Sequence, residues 1–168
     1  MDITVPTSFQ REPFYKTGDT ITTSEQWNGL FIDLPSFYFN ITKQQSNINS
    51  EWLIKLFEEW KVEKRKVQTL FKEKNGEYIS NVMRKFIAHF TEVLFWINDE
   101  VILDLHVLGD SISLFKWQPI NSSERLEYII AHYKKYHAWI QLSELYTELE
   151  KLYYKKRQLE KVKEPKST

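Results

Sequence analysis

The sequence of residues 119–163 decides the fold: PINSSERLEYIIAHYKKYHAWIQLSELYTELEKLYYKKRQLEKVK. It opens on a helix start signal, because Asn121 as the N-cap and Glu124 three residues later form a pair like a capping box. The apolar residues that follow repeat at helical spacing: Leu126, Ile129, Ile130 and Tyr133. The stretch therefore begins with an amphipathic helix.

The apolar pattern of this stretch changes phase once. A second row consists of leucines: Leu142, Leu145, Leu149 and Leu152. Continued in steps of seven, the first row would reach Ile140 and Thr147, which places the two rows about 200° apart on a helix of 3.6 residues per turn. A break between the rows explains the shift. We therefore predict a short helix over 122–132 and a long helix over about 136–162.

Three aromatic residues, Trp139, Tyr146 and Tyr153, recur every seven positions beside these leucines. A seam of about two heptads is short for a free coiled coil, which favours packing inside the domain over a dimer contact. The spacing alone leaves both roles open. This row is therefore the candidate interaction face, with closure of the core as the alternative.

The clearest helix lies upstream, over residues 77–98. Its apolar face is broad: Ile79, Val82, Met83, Phe86, Phe90, Val93, Leu94 and Ile97. A face of this width is typical of a helix contacted on several sides, so we place it at the centre of the core. Residues 49–74 also show helical spacing behind an N-cap at Asn49 or Ser50, as one long helix or two short ones.

The N-terminal residues 1–48 lack a sustained helical or strand period and are rich in Pro, Thr, Asn, Ser and paired aromatics. We predict an irregular arm that its aromatic residues pack against the body, with a short helix around 24–31. Residues 49–163 form the helical domain and 164–168 a disordered tail. A chain of 168 residues fits a single domain overall.

Residues 101–117 fit two structures. A hairpin could turn at Gly109-Asp110, or a short helix could carry a row of apolar residues: Leu105, Leu108, Ile112 and Phe115. The helix is favoured because every other clear element is helical, although Gly109 inside it costs about 1 kcal/mol. The predicted fold class is therefore all-α: a compact domain of five or six helices with an irregular, aromatic-rich N-terminal arm.

The composition excludes several kinds of functional site. The chain has no cysteine, which excludes disulfides, thiolate metal sites and a thiol nucleophile. Its first residues show no signal-peptide pattern, and no apolar run approaches the roughly 20 residues of a membrane span. We therefore expect a cytoplasmic protein with no membrane partner.

Basic residues cluster although the formal net charge is zero. Residues 61–74 hold six Lys or Arg against two Glu, and residues 151–168 hold seven against two. Such strips are usually solvated helix faces, but strips at 61–74 and 151–166 could also contact nucleic acid. The candidate contacts are Lys61, Lys64, Arg65, Lys66, Lys155, Lys156 and Arg157.

One short motif suggests catalysis. The sequence GDSIS at 109–113 resembles the nucleophile block of the GDSL esterases. That family draws its triad partners from a later Asp-x-x-His, and here no Asp follows Asp110. The four glycines of the chain are isolated and build no phosphate-binding loop. We therefore predict no catalytic residue and no cofactor.

Hard metal ligands gather just after the helix at 77–98: Asp99, Glu100, Asp104 and His106. Their composition suits a divalent cation, but no EF-hand loop is present, and carboxylates near helix ends also act as caps. We predict no metal site, and the sequence leaves open whether this cluster binds a cation. His89 and Glu92 can share a helix face, but two groups do not make a structural zinc site.

Two blocks of this sequence match a known pattern. The stronger joins KWQPINSSERLEYI (116–129) to YHAWIQL (136–142), and the weaker is Pro6 followed by Phe9 and then PFY at 13–15. Both resemble the YpoC-like proteins of low-GC Gram-positive bacteria. The resemblance implies a small bacterial cytosolic protein and carries over no activity and no functional residue.

The sequence thus favours a non-catalytic protein-interaction or scaffold module. It has ample surface for partners and no assembled catalytic motif. The partner would be another protein or a second copy of the chain. Nucleic-acid association through the basic strips is the alternative, and an enzyme of unknown type is third.

Overall fold

The computed structural model describes residues 1–24, 31–46 and 48–163. Within these ranges it has six α-helices: α1 (Tyr38–Thr42), α2 (Ser50–Glu73), α3 (Gly76–Ile97), α4 (Leu108–Ile112), α5 (Ser122–Ala131) and α6 (Tyr136–Lys163). The predicted fold class, a compact helical domain of five or six helices, is confirmed. The short helix predicted around 24–31 falls mainly on residues outside the described ranges, and so does the tail predicted at 164–168.

The second helix, α2, is one continuous helix of 24 residues. The side chain of Asn49 accepts a hydrogen bond from the backbone N–H of Trp52 at 3.1 Å, which caps its first turn. One face of the helix is buried: Leu53, Leu56, Phe57, Trp60 and Val67. Of the two arrangements that the spacing allowed, the single long helix is therefore correct.

The central helix is α3, as its broad apolar face predicted. Every residue from 86 to 95 is buried, including the polar His89, Thr91 and Glu92. A helix surrounded in this way needs neighbours on several sides, and α2 and α6 both pack against it. Backbone groups of the N-terminal arm at Ile32 and Phe37 contact the remaining side.

The C-terminal third forms two helices, α5 and α6, as the phase change predicted. They pack against each other, and Arg125 on α5 makes two hydrogen bonds of 3.0 and 2.9 Å to the carboxylate of Glu148 on α6. The predicted capping box is wrong. Asn121 has a left-handed backbone (φ +55°) and its side chain makes no capping bond, because a capping side chain needs an extended N-cap residue to reach the first turn.

The N-terminal arm contains a small sheet that the sequence did not reveal. Strands β1 (Asp2–Thr4) and β2 (Thr20–Thr22) pair antiparallel, with Ile3 opposite Ile21. Three residues per strand are too few for an alternating pattern to stand out. Aromatic side chains link the arm to the helical body, since Phe31 stacks on Trp52 of α2 with 5.8 Å between ring centroids.

Residues 98–121, here called the connector, join α3 to α5 without a hairpin. A 3-10 turn at Leu105–Val107 leads directly into α4, so the short helix was the correct alternative. Gly109 sits in α4 where it approaches α5, and a Cβ at this position would lie 2.9 Å from the hydroxyl oxygen of Ser123. This close approach accounts for the glycine of the GDSIS motif without a catalytic role.

Candidate functional site

A cavity of about 350 Å³ lies between the end of α1 and the end of α3. Three carboxylates line it, from Glu92, Asp99 and Glu100. Three aromatic rings line it as well, from Phe39, Phe95 and Trp96. Among the described residues of its wall there is no lysine or arginine. The cavity therefore combines apolar walls with a concentration of negative charge.

The spacing of α3 explains how these groups converge. Glu92 and Trp96 are four positions apart, which aligns them along one face of α3, and Asp99 follows just after the end of the helix. Asp99 has a left-handed backbone (φ +56°), and the next amide, of Glu100, donates to the carbonyl oxygen of Phe95 at 3.0 Å. This is a Schellman cap, with an aspartate where glycine is usual. The cap fixes both exposed carboxylates beside the cavity.

A buried histidine and glutamate pair stands behind the cavity. Nδ1 of His89 lies 3.2 Å from Oε1 of Glu92, and Nε2 of His89 lies 3.1 Å from the carbonyl oxygen of Ile32. The same Glu92 oxygen accepts from the backbone N–H of Phe37 at 3.1 Å. Both side chains are almost fully buried, at 1% and 2% exposure. The pair therefore fixes the arm to the central helix.

The roles of the two ring nitrogens depend on the tautomer of His89. A carbonyl oxygen only accepts, so a proton on Nε2 is donated to Ile32, whereas a proton on Nδ1 is donated to Glu92.

The structure divides the predicted cluster of hard ligands. Asp99 and Glu100 line the cavity, whereas the Asp104 side chain accepts from the backbone N–H of His106 at 2.8 Å and caps the 3-10 turn. Nε2 of His106 lies 3.3 Å from the carbonyl oxygen of Thr7 in the arm. Within residues 1–24, 31–46 and 48–163, no three His, Asp or Glu side chains come close enough to hold a metal ion.

The aromatic row of α6 closes the core. Trp139, Tyr146 and Tyr153 are all buried, at 4%, 1% and 5% exposure. Tyr146 stacks on Trp60 of α2 with 4.7 Å between ring centroids. In this structure the row is therefore not an exposed interaction face. Of the two roles that the spacing left open, closure of the core is the observed one, because α2 and α3 cover the row.

The buried tyrosines make stability sensitive to alkaline pH. Burial, and next the negative charge of Glu92, raise the pKa of Tyr146 well above its ordinary 10.0. The unfolded chain therefore loses this proton near pH 10 while the folded chain keeps it. Stability is full below pH 10 and falls as pH rises further, by about 1.4 kcal/mol per pH unit for one such group.

We expect Tyr146→Phe to make this alkaline decline shallower by about that slope. The measurement is urea unfolding of both proteins between about pH 9 and pH 11. Lysine titration and the other tyrosines contribute equally to both proteins and cancel in the comparison. If the free energy of unfolding declined with the same slope in both proteins, the raised pKa of Tyr146 in the folded chain would be contradicted.

The two basic strips meet at one end and extend away from each other along the helix pair. Helices α2 and α6 run antiparallel, since Phe71 contacts Tyr136 while the hydroxyl of Tyr153 donates to Ser50 at 2.6 Å. The strip at 61–74 therefore lies beside the first half of α6, and the described part of the other strip, residues 151–163, begins beside the start of α2. The strips meet where Lys64 and Lys151 line one pocket, and their centres are roughly 30 Å apart along the helix axis.

Several basic side chains of the strips have partners within the chain. Lys61 forms an ion pair of 3.1 Å with Glu150, and Lys66 one of 3.7 Å with Glu63. Lys156 donates to the carbonyl oxygen of Ile97. These contacts reduce the positive charge available to phosphates, which nucleic-acid binding requires.

The fold and the cavity define a small helical domain with an acidic, aromatic-lined pocket. A model of the YpoC-like protein family matches residues 50–161, and the chain belongs to this family. The resemblance in the C-terminal third is confirmed, while the block at residues 6–15 lies outside the match.

Among known proteins, the uncharacterized protein YpoC of Bacillus subtilis (strain 168) is 33% identical to this chain over 100 residues. The similarity covers 60% of this chain and 61% of the relative, so the chain matches about three fifths of that protein's length. No solved structure matches. In the described part of the chain, no helix has the length and apolar character needed to cross a membrane.

Proposed function

We propose that this protein is a non-catalytic protein-interaction module and that the connector carries its docking surface. The observation behind this proposal is a set of large apolar side chains that the connector exposes to solvent. Their exposures are 66% for Val101, 78% for Leu103, 48% for Val107, 87% for Leu114 and 79% for Ile120. Single exposed apolar residues are ordinary, but several within one segment are typical of interaction sites.

The connector is anchored, which supports its role as a docking surface. The Asn98 side chain donates to the carbonyl oxygen of Trp117 at 2.8 Å and accepts from the N–H of the same residue at 2.9 Å. Four apolar side chains hold it to the core: Ile102, Leu105, Leu108 and Ile112. An anchored loop loses little conformational freedom when a partner binds.

The charges around the connector define the partner. Three exposed carboxylates lie on it, from Asp99, Glu100 and Asp110, against one exposed lysine, Lys116. Residues 75–150 as a whole hold eleven acidic against six basic residues. A protein with an apolar patch rimmed by Lys or Arg is therefore the partner that complements this surface.

The double variant Leu114→Ser/Ile120→Ser tests the proposal. Both side chains are mostly exposed, so folding is retained while apolar contact area is lost. We expect affinity capture from the native host, quantified by mass spectrometry, to recover a partner with the wild-type protein. The double variant should recover at least about fivefold less, because two exposed anchors are removed.

The matched control is Val162→Ser, which removes an equally exposed apolar side chain (82%) far along α6. It should capture the partner as well as the wild-type protein does. Light scattering shows whether the partner is a second copy. Nuclease treatment of the lysate tests the alternative function, nucleic-acid association. Partners that are captured through nucleic acid bound to the basic strips would be lost after this treatment. Equal recovery by wild type and the double variant would overturn the connector proposal.

A further inference from the structure

A groove of about 530 Å³ runs between α2 and α6, where the two basic strips meet. Two lysines line it, Lys64 from α2 and Lys151 from α6. Neither ammonium group forms an ion pair with another of the described residues. The volume of the groove falls within the range of small-molecule sites. The groove therefore offers two cations that the described part of the chain leaves without an ion-pair partner.

The carboxylates of the groove, in contrast, are paired. Glu148 forms an ion pair of 2.9 Å with Arg125 on α5, and Glu144 lies 3.7 Å from the same guanidinium group. The two lysines and Arg125 are three cations against these two carboxylates, so the local charge is about +1 at neutral pH. A monoanion is therefore attracted, whereas the two glutamates disfavour a phosphate dianion.

An unsatisfied donor belongs to a residue in the wall of the same groove. Trp139 lines the groove and is only 4% exposed. Within residues 1–24, 31–46 and 48–163, its indole N–H is the one buried side-chain polar group without a hydrogen-bond partner. Native proteins pair nearly all such groups, and an exception calls for a bound water or ion as the missing partner. Because an indole N–H only donates, that partner must be an acceptor.

The apolar part of the wall indicates what the anion is attached to. The indole ring of Trp139 and the half-buried side chain of Ile140 line the groove as well. Apolar surface of this kind gains free energy when a hydrocarbon group covers it, and an inorganic anion would leave it exposed to water. A carboxylate at the end of an aliphatic chain matches the unpaired cations, the unpaired donor and the apolar wall.

We propose that this groove binds a carboxylate that carries an aliphatic chain. The ammonium groups of Lys64 and Lys151 balance its charge, and the indole N–H of Trp139 donates to one of its oxygens. The aliphatic chain covers Ile140. The carboxylate belongs either to a free organic acid or to an acidic side chain of a peptide. The inference does not rest on the proposed function, because the groove residues and the connector residues are different.

The first experiment compares hexanoate with 1-hexanol, which have similar shapes and differ in charge. Binding is followed in the full chain by NMR of the Trp139 indole N–H and the Thr147 backbone amide. We expect hexanoate to bind with a Kd below about 10 mM and the alcohol to bind about tenfold more weakly, because the lysines attract only the charged ligand. The indole resonance should move downfield as the N–H gains an acceptor. The proposal is wrong if this resonance does not move with hexanoate, or if both ligands bind equally.

The double variant Lys64→Gln/Lys151→Gln removes the two unpaired charges of the groove and keeps most of the side-chain length. It should weaken hexanoate binding about tenfold, since two charge contacts are lost. The matched control is Lys55→Gln/Lys155→Gln, which also changes one exposed lysine on α2 and one on α6, both outside the groove. It alters the net charge equally and should bind like the wild type. Equal affinities of the groove variant and the control would refute the role of the lysines.

Trp139→Phe isolates the contribution of the indole N–H, because it removes the donor and keeps an aromatic ring. We expect it to weaken hexanoate binding about threefold, read from the Thr147 amide, since one hydrogen bond is lost. Circular dichroism shows whether the variant folds, and the lysine variants decide the proposal if it does not. Affinity equal to that of the wild type in the folded variant would contradict the donor role of Trp139.

The source of the carboxylate is decided with a capped Gly-Gly-Glu-Gly-Gly peptide. If the groove takes a peptide side chain, this peptide shifts the same two resonances with an affinity equal to or higher than that of hexanoate. If it takes a free acid, only hexanoate does so. A short oligothymidylate that shifts them when neither carboxylate does would overturn the inference in favour of nucleic acid. Failure of all three probes would also overturn it and leave the connector proposal unaffected, because Leu114 and Ile120 lie outside the groove.

Discussion

Replacing Tyr146 with alanine is expected to lower the free energy of unfolding by about 4 kcal/mol. The side chain is 1% exposed and lies where α2, α3 and α6 meet. Its ring stacks on Trp60 and meets Phe90 edge-on, with 5.5 Å between ring centroids. Alanine removes the ring and leaves a cavity that three packed helices cannot close.

Urea unfolding followed by circular dichroism and tryptophan fluorescence measures this loss. Tyr146→Phe separates the ring from the hydroxyl, which donates to the carbonyl oxygen of Phe86. We expect this variant to lose only about 1 kcal/mol, the net contribution of one hydrogen bond, because the Phe86 carbonyl oxygen lies inside α3 and keeps the N–H of the next helical turn as its partner.

The matched control is Tyr154→Ala, eight residues further along the same helix, where the ring is 41% exposed. It should change stability by less than about 1 kcal/mol, because surface substitutions away from special features have small effects. Equal losses for Tyr146→Ala and Tyr154→Ala would contradict the assignment of the aromatic row to the core.

Helix positions were predictable because apolar periodicity directly reflects burial. The two-residue phase change after Tyr133 predicted separate helices over 122–132 and about 136–162, and the structure has them at Ser122–Ala131 and Tyr136–Lys163. The broad face of residues 77–98 likewise predicted the central helix. Periodicity carries this information because a helix must bury one side of itself against its neighbours.

The helix start at Asn121 shows where local patterns fail. Its side chain type and the spacing to Glu124 suit a capping box, but the backbone at Asn121 is left-handed. The Ser122 hydroxyl instead donates to the Gln118 side chain at 2.7 Å. Backbone angles at a chain reversal depend on how the connector packs, and a short sequence pattern does not encode that packing.

The cavity could be predicted only in part. The spacing of Glu92 and Trp96 in α3 is visible in the sequence and places a carboxylate and an aromatic ring on one face, with Asp99 just beyond the helix end. The opposite wall comes from Phe39 and the residues that follow α1, which lie 44 or more positions away from Glu92 in the chain. Long-range placement of this kind follows from tertiary packing and has no periodic signal.

The second large expected effect on stability comes from the buried pair of His89 and Glu92. Glu92→Leu is expected to lower the free energy of unfolding by about 3–5 kcal/mol, because it removes the partner of a buried histidine and of the Phe37 backbone N–H. Leucine is similar in volume, so little of the loss arises from a cavity. Urea unfolding measures it. Glu58→Leu, on the exposed face of α2, is the control and should lie within about 0.5 kcal/mol of the wild type.

A double-mutant cycle tests whether His89 and Glu92 act as a pair. Glu92→Leu leaves the histidine without its acceptor and His89→Leu leaves the glutamate without its donor, so each single variant creates an unpaired buried group. The double variant removes both groups at once. Its loss should therefore be smaller than the sum of the two single losses by about 2 kcal/mol. Additive losses would mean that the 3.2 Å contact between the two side chains contributes nothing and that each side chain holds the arm only through its own backbone partner.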